Sequence, residues 1–169
     1  MNKQGYKLFF IICVLIFLSS CIREKSYPII PAIKFKSFTH FGLDSANVII
    51  SFTDGDGDIG LSQGDTTGDF NSKSKYYYNF YARYLYKAVD GTFKTFQTAL
   101  GDTLDYKYRI PKLLTGQEQR KALSGEIKVK LYSPLTQDTS IHFIQYDIFI
   151  IDRALHKSNT VNTGTLILN

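Results

Sequence analysis

Three aspartates occupy alternate positions in the segment Phe52-Thr53-Asp54-Gly55-Asp56-Gly57-Asp58-Ile59-Gly60-Leu61. Carboxylates spaced in this way repel one another unless water or a cation lies between them. Calcium suits such a cluster, because it takes roughly 6–8 oxygen ligands at about 2.3–2.6 Å with loose geometry. The intervening glycines let the backbone fold tightly enough for side chains at i, i+2 and i+4 to converge. Asp65 and Asp69, a few residues on, are further oxygen donors. An EF-hand is excluded. With Asp54 as the first loop position, the sixth is Ile59 where glycine is required and the twelfth is Asp65 rather than Glu. The segment also follows a strand pattern, not a helical one. The competing reading is a solvated turn in which Asp side chains cap backbone N–H groups.

Other chemistry is sparse. His40, His142 and His156 are not paired at metal-binding spacing, and neither an HExxH element nor a GxSxG elbow is present. The glycine-rich loop is acidic and would repel phosphate. Nothing singles out a pair of carboxylates for glycoside hydrolysis. The chain is therefore expected not to be an enzyme. Tyr76, Tyr77, Tyr78, Tyr81, Tyr84 and Tyr86 form an aromatic run. Tyr77 and Tyr81, on one face of it, are candidates for stacking on sugar rings, which makes a surface glycan-binding protein the alternative function. The opposing reading buries these rings in a core or under a loop, and the absence of Trp weakens a sugar platform.

The N-terminus carries an address. Lys3 and Lys7 precede an uninterrupted apolar run, Leu8 to Leu18. As a helix it would cover about 16 Å, roughly half a bilayer core, so it reads as the hydrophobic region of a signal peptide over residues 1–20. Leu18-Ser19-Ser20-Cys21 follows and resembles the bacterial lipobox. That resemblance implies cleavage before Cys21 and acylation of Cys21 by diacylglycerol and palmitate-type chains. Cys13 would leave with the leader, so no thiol remains for a disulfide, for catalysis or for a metal. Residues 21–31 (CIREKSYPIIP) read as a short lipidated tether. The net charge is +5, and two of the basic residues lie in the leader. The remaining basic residues are scattered, which argues against nucleic acid and is compatible with an anionic membrane surface.

The remainder, 32–169, must position these groups, and its pattern is that of strands. Of 169 residues, 44% are hydrophobic and 15% aromatic, with 13 Phe and 12 Tyr; that composition favours sheets over helical bundles. Period-two alternation marks Ile33 and Phe35; Val48, Ile50 and Phe52; Tyr76 to Val89; Leu104 to Ile110; and Ile127, Val129 and Leu131. Ile141 to Ile151 is apolar on both faces in its second half, as a central strand would be, and Val161 to Leu168 closes the chain. Asp90-Gly91 predicts a hairpin turn, Pro111 ends a strand, and 115–123 is the one stretch that could hold a helical turn. Seven to nine strands in one domain predict an antiparallel immunoglobulin-like β-sandwich, all-β.

The segments FTDGDGDIGL, RIPKLLTG, LSGEIKVKLY and IFIIDRALHKSNTVNTGTL resemble Bacteroidota-type lipoproteins that carry an immunoglobulin-like or fibronectin-like sandwich behind a lipobox. The last segment also resembles the final hairpin of cadherin-like bacterial domains, with Leu155-His156 where a small Gly-Asn pair is usual. The resemblance implies a cell-envelope protein, lipid-anchored with the outer membrane as the expected site, that acts through binding or assembly with an envelope protein or glycan. It also implies that Asp152 and Asn159 lie at the acidic-loop end of the sandwich, where they would join Asp54, Asp56, Asp58, Asp65 and Asp69 as candidate calcium ligands.

Overall fold

The computed structural model describes residues 26–42, 45–113, 121–132 and 141–168. The expected leader, the expected lipidation residue Cys21 and most of the helical turn expected in 115–123 lie outside these residues.

Two antiparallel sheets pack face to face. The first has three strands in the order β1-β2-β6: β1 (Ala32–Phe41), β2 (Ser45–Asp54) and β6 (Leu123–Tyr132). The ten residues of β2 alternate without a break, with Ala46, Val48, Ile50, Phe52 and finally Asp54 facing inward. The same period-two rule that buries the apolar side chains therefore buries a carboxylate at the end of the strand.

The second sheet has six strands and is built on β3 (Phe80–Lys87) and β7 (Phe143–Ile150), paired in register from Phe80↔Ile150 to Tyr86↔Ile144. β4 (Phe93–Thr95) and β5 (Asp105–Tyr108) both line the outer edge of β3, so they are two halves of one edge strand. The excursion between them is pinched by the Gln97↔Thr103 bridge. β8 (Val161–Asn162) and β9 (Leu166–Ile167) likewise share the other edge of β7. Between them the buried Thr163 takes the Tyr146 N–H on its hydroxyl at 3.0 Å. With β1, β2 and β6 in one layer and β3, β7 and β8/β9 in the other, the order follows the A-B-E and C-F-G strands of an immunoglobulin-like sandwich.

Ile33, Val48, Ile50, Leu131, Phe80, Tyr84, Ile144, Tyr146, Ile148 and Ile150 fill the space between the sheets. Aromatic edges knit the centre: Tyr84 meets Tyr146 at 5.6 Å between ring centroids and Phe96 at 5.9 Å, and Phe38 stacks on Tyr146 at 5.6 Å. The Asp90-Gly91 turn forms as expected, with Gly91 at φ 82° and its N–H on the Ala88 carbonyl.

One expectation needs correction. The alternating run from Tyr76 to Val89 is not a single strand: β3 begins at Phe80, and Tyr76 and Tyr77 lie in a turn, although Asn79 still bonds Tyr108 and Ile151 on either side. Ser74 diverts the chain, because its hydroxyl accepts the Tyr76 N–H and its carbonyl accepts the Tyr77 N–H, each at 3.1 Å.

Ile148 is fully buried between the sheets, whereas Val89 sits at a hairpin tip in full solvent. Ile148→Ala should cost about 2–5 kcal/mol, while Val89→Ala should stay within about 0.5 kcal/mol; urea denaturation followed by tyrosine fluorescence measures both.

Candidate acidic cation site

β2 carries Asp54 inward at its last position, and the chain then turns sharply. Gly57 adopts φ 67° and Gly60 φ 103°. A side chain at Gly60 would also collide with the backbone of Pro111 and Lys112, so this turn needs glycine for both conformation and space. The turn folds the carboxylates onto one another. One oxygen from each of Asp54, Asp56 and Asp58 lies within 4.8 Å of the other two, and among the described residues this is the one group of three or more metal-ligating side chains so placed.

The two oxygens of a carboxylate are used differently here. Asp54 accepts the Asp58 N–H on Oδ2 at 2.9 Å, and Asp58 accepts the Ala154 N–H on Oδ2, also at 2.9 Å. These bonds fix the turn and tie it to the β7–β8 hairpin of the other sheet. The Oδ1 atoms of Asp54, Asp56 and Asp58 are buried and have no hydrogen-bond donor among the described residues. Asp54 itself is completely removed from solvent. Buried polar atoms normally find partners, and three crowded carboxylates, each with a buried oxygen lacking one, favour positive charge beside them.

The electrostatics agree. Unit charges at this separation repel by about 3–4 kcal/mol per pair at an effective dielectric constant of about 20, against a total stability of about 5–15 kcal/mol for a domain. Burial, then Asp56 and Asp58, push the Asp54 carboxyl up to about 7, and Asp54 and Asp56 lie close enough to share a proton. Burial, then Asp152 and Asp56, push Asp58 up to about 6.

Of the remaining candidates, the structure brings one to the cluster. Asp152 is buried beside Asp58, and its own carboxyl is raised by burial. Its oxygens are occupied: Oδ1 accepts the His156 N–H at 2.7 Å and Oδ2 lies 2.9 Å from His156 Nδ1. Asp152 therefore contributes charge next to the cluster and shapes the hairpin turn. Leu155, in that turn, takes φ 70°, the conformation usually left to glycine or asparagine.

Asp65 points elsewhere. It pairs with Arg153 and accepts the Ser62 N–H at 2.7 Å, and Arg153 holds its carboxyl down at about 2. Asp69 is exposed in a 3-10 turn over Gly68–Phe70. Asn159 spends its amide on β1, accepting from Ile33 N at 2.8 Å and donating to Ile33 O at 2.9 Å.

Tyr81 is covered. Its ring stacks on Phe149 at 4.7 Å, and its hydroxyl donates to the carbonyls of Lys75 and Tyr78. Tyr77 is half-buried beneath the Arg109 guanidinium at 4.7 Å. Neither ring is part of an open stacking platform.

Sequence reasoning missed three supports of the site. Arg109 fastens the loop after the turn, donating to the carbonyls of Ser62, Asp65 and Tyr77 at 3.0, 3.0 and 2.7 Å. Asn79, almost fully buried, exchanges two hydrogen bonds with the Ile110 backbone. His156 orients Asp152. An isolated Arg, Asn or His carries no periodicity, and only Asp152 four residues before His156 hinted at a contact.

The fold and the site define an immunoglobulin-like β-sandwich with a buried acidic turn at one end. No protein-family model matches the chain, and neither a curated protein nor a solved structure matches it.

With no cation bound, the folded domain should hold more protons than the unfolded chain between about pH 4 and pH 7, because Asp54 and Asp58 titrate well above the ordinary aspartate value of 3.8. Stability in EDTA should therefore fall as pH rises through that window and level off above it. Asp54→Asn should flatten the dependence, as read by urea midpoints at pH 5 and pH 8.

Proposed function

We propose that the chain is a lipid-anchored protein of a bacterial cell envelope, on the outer membrane, whose β-sandwich is a non-catalytic binding or assembly domain stabilised by calcium. The observation that carries the cation reading is the crowding of the Asp54, Asp56 and Asp58 carboxylates, each with a buried Oδ1 that no donor among the described residues reaches. All three are hard oxygen ligands of −3 total formal charge, which suits calcium better than a softer metal. They leave part of the coordination sphere to water or backbone carbonyls, as in weakly binding extracellular modules. The support for the anchor is in the sequence: a charged start, an apolar run too short to span a bilayer, and Leu18-Ser19-Ser20-Cys21 directly after it. The resemblance of four segments to Bacteroidota-type lipoproteins supports the same placement.

Two measurements test this reading. Calorimetric titration with calcium chloride should give one site, lost in Asp54→Asn/Asp56→Asn. Calcium at about 100 times its dissociation constant should add about 2.7 kcal/mol, which for this size raises Tm by roughly 5–10 °C. A titration without heat and a Tm indifferent to calcium would exclude the site. For the anchor, the intact mass of membrane-extracted protein should correspond to a chain starting at acylated Cys21, and Cys21→Ser should abolish that species.

A further inference from the structure

The acidic turn touches one more part of the chain. Between its first two aspartates lies Gly55, and the chain preceding β1 crosses directly over it. A Cβ at Gly55 would stand 2.3 Å from the Tyr27 carbonyl oxygen and 2.7 Å from the Pro28 carbonyl carbon and oxygen. Gly55 does not have positive φ, so space rather than backbone conformation is what keeps a side chain out. Ahead of β1 the same segment is held by burial of Pro31 and by a 3.3 Å hydrogen bond from the Tyr27 hydroxyl to Ser124 Oγ on β6. Ile29 and Ile30, by contrast, are more than half exposed. The segment thus rests mainly on the shape of the turn beneath it.

That shape is set by the carboxylates on either side of Gly55. When Asp54 and Asp56 are both charged with nothing between them, they push apart, and Gly55 is the hinge that must yield. A divalent cation reverses the sign of the force and holds both aspartates together, keeping the floor on which Tyr27 and Pro28 lie. We propose that occupancy of the Asp54–Asp56–Asp58 site by calcium fastens the segment Ser26–Pro31 to the end of the sandwich, so that the cation sets how firmly the domain is joined to the chain that precedes it. This inference rests on the reading of the acidic turn as a cation site. It adds a mechanical consequence that a merely stabilising ion would not have.

Proteolysis reads the docking directly, because a protease needs several residues on each side of the cut in extended form. Lys25 lies two residues before Tyr27, so cleavage after it requires Tyr27 and Pro28 to lift from Gly55. The experiment uses the full chain in detergent with endoproteinase Lys-C, in EDTA and in calcium chloride, alongside calorimetry with calcium chloride. A free peptide spanning residues 22–31 controls for effects of calcium on the protease. Calcium should slow cleavage after Lys25 by about tenfold, as expected when a local opening must precede the cut, and leave the peptide unaffected. Gly55→Ala should lose the protection, because its Cβ would occupy the space that Tyr27 and Pro28 fill.

Calcium heat with an unchanged cleavage rate in the wild-type chain overturns the docking proposal and leaves the cation site standing. Absence of calcium heat overturns both. Full calcium protection in Gly55→Ala also overturns the proposal. Should that variant fail to fold, the wild-type comparison alone decides.

Discussion

A carboxylate in the register of the core is the constraint around which this end of the molecule is arranged. Strand β2 delivers Asp54 to the inward face by the same alternation that delivers Val48, Ile50 and Phe52. A charge there cannot be left unpaired without a cost of several kcal/mol. A solvated Asp turn would turn its oxygens to water. Here one oxygen each from Asp54 and Asp58 is spent on holding backbone amides, and the other is turned inward. The turn thus combines capping of backbone amides by Asp54 and Asp58 with a cluster of three carboxylates held largely out of water.

The same turn joins the two layers. Asp58 reaches from the end of the three-stranded sheet to Ala154 in the β7–β8 hairpin, and Asn159 reaches back from that hairpin to Ile33 on β1. These polar contacts seal the sandwich where its apolar filling stops. A disturbance of the acidic turn is therefore felt by both sheets and by the chain entering β1, since Gly55 is the surface on which that chain rests. The length of chain available makes this economical: no insertion or extra strand is needed, only a turn placed between a buried strand end and the first residues of the domain.

Much of this was legible in the sequence, and the exceptions have physical causes. Strands with one inward face announce themselves by alternation, and β7 follows its expected span closely. β2 and β6 run past the alternating Val48–Phe52 and Ile127–Leu131, and β6 starts at Leu123, within the stretch expected to hold a helical turn. Tyr76 and Tyr77 misled because Ser74 supplies local hydrogen bonds to both that compete with strand pairing. In the site, the DGDGD spacing identified the aspartates that meet. It could not separate them from Asp65, because choosing between cation ligand and ion-pair partner depends on Arg153, 88 residues away. Nor could spacing reveal that Gly55 matters for what crosses it. Contacts between segments distant in sequence leave no periodic trace.

The charge balance around the turn shows why the neighbouring groups do not already neutralise it. Five carboxylates lie at or near this end, and two have dedicated partners: Asp65 is taken by Arg153 and Asp152 by His156. Arg153 is further engaged over the Phe70 ring, and Arg109 is committed to three carbonyls and the Tyr77 ring. Among the described residues, Arg109 and Arg153 are engaged in fastening the loop and hairpin, and Arg153 also interacts with Asp58. That pattern fixes the surroundings of the turn, while Asp54 and Asp58 still titrate above the ordinary aspartate range. Protons are one way to relieve the repulsion in the turn, and they are scarce above neutral pH for groups titrating near 6 and 7. A divalent cation would relieve it at any pH where the carboxylates are ionised, with three buried oxygens that no donor among the described residues reaches.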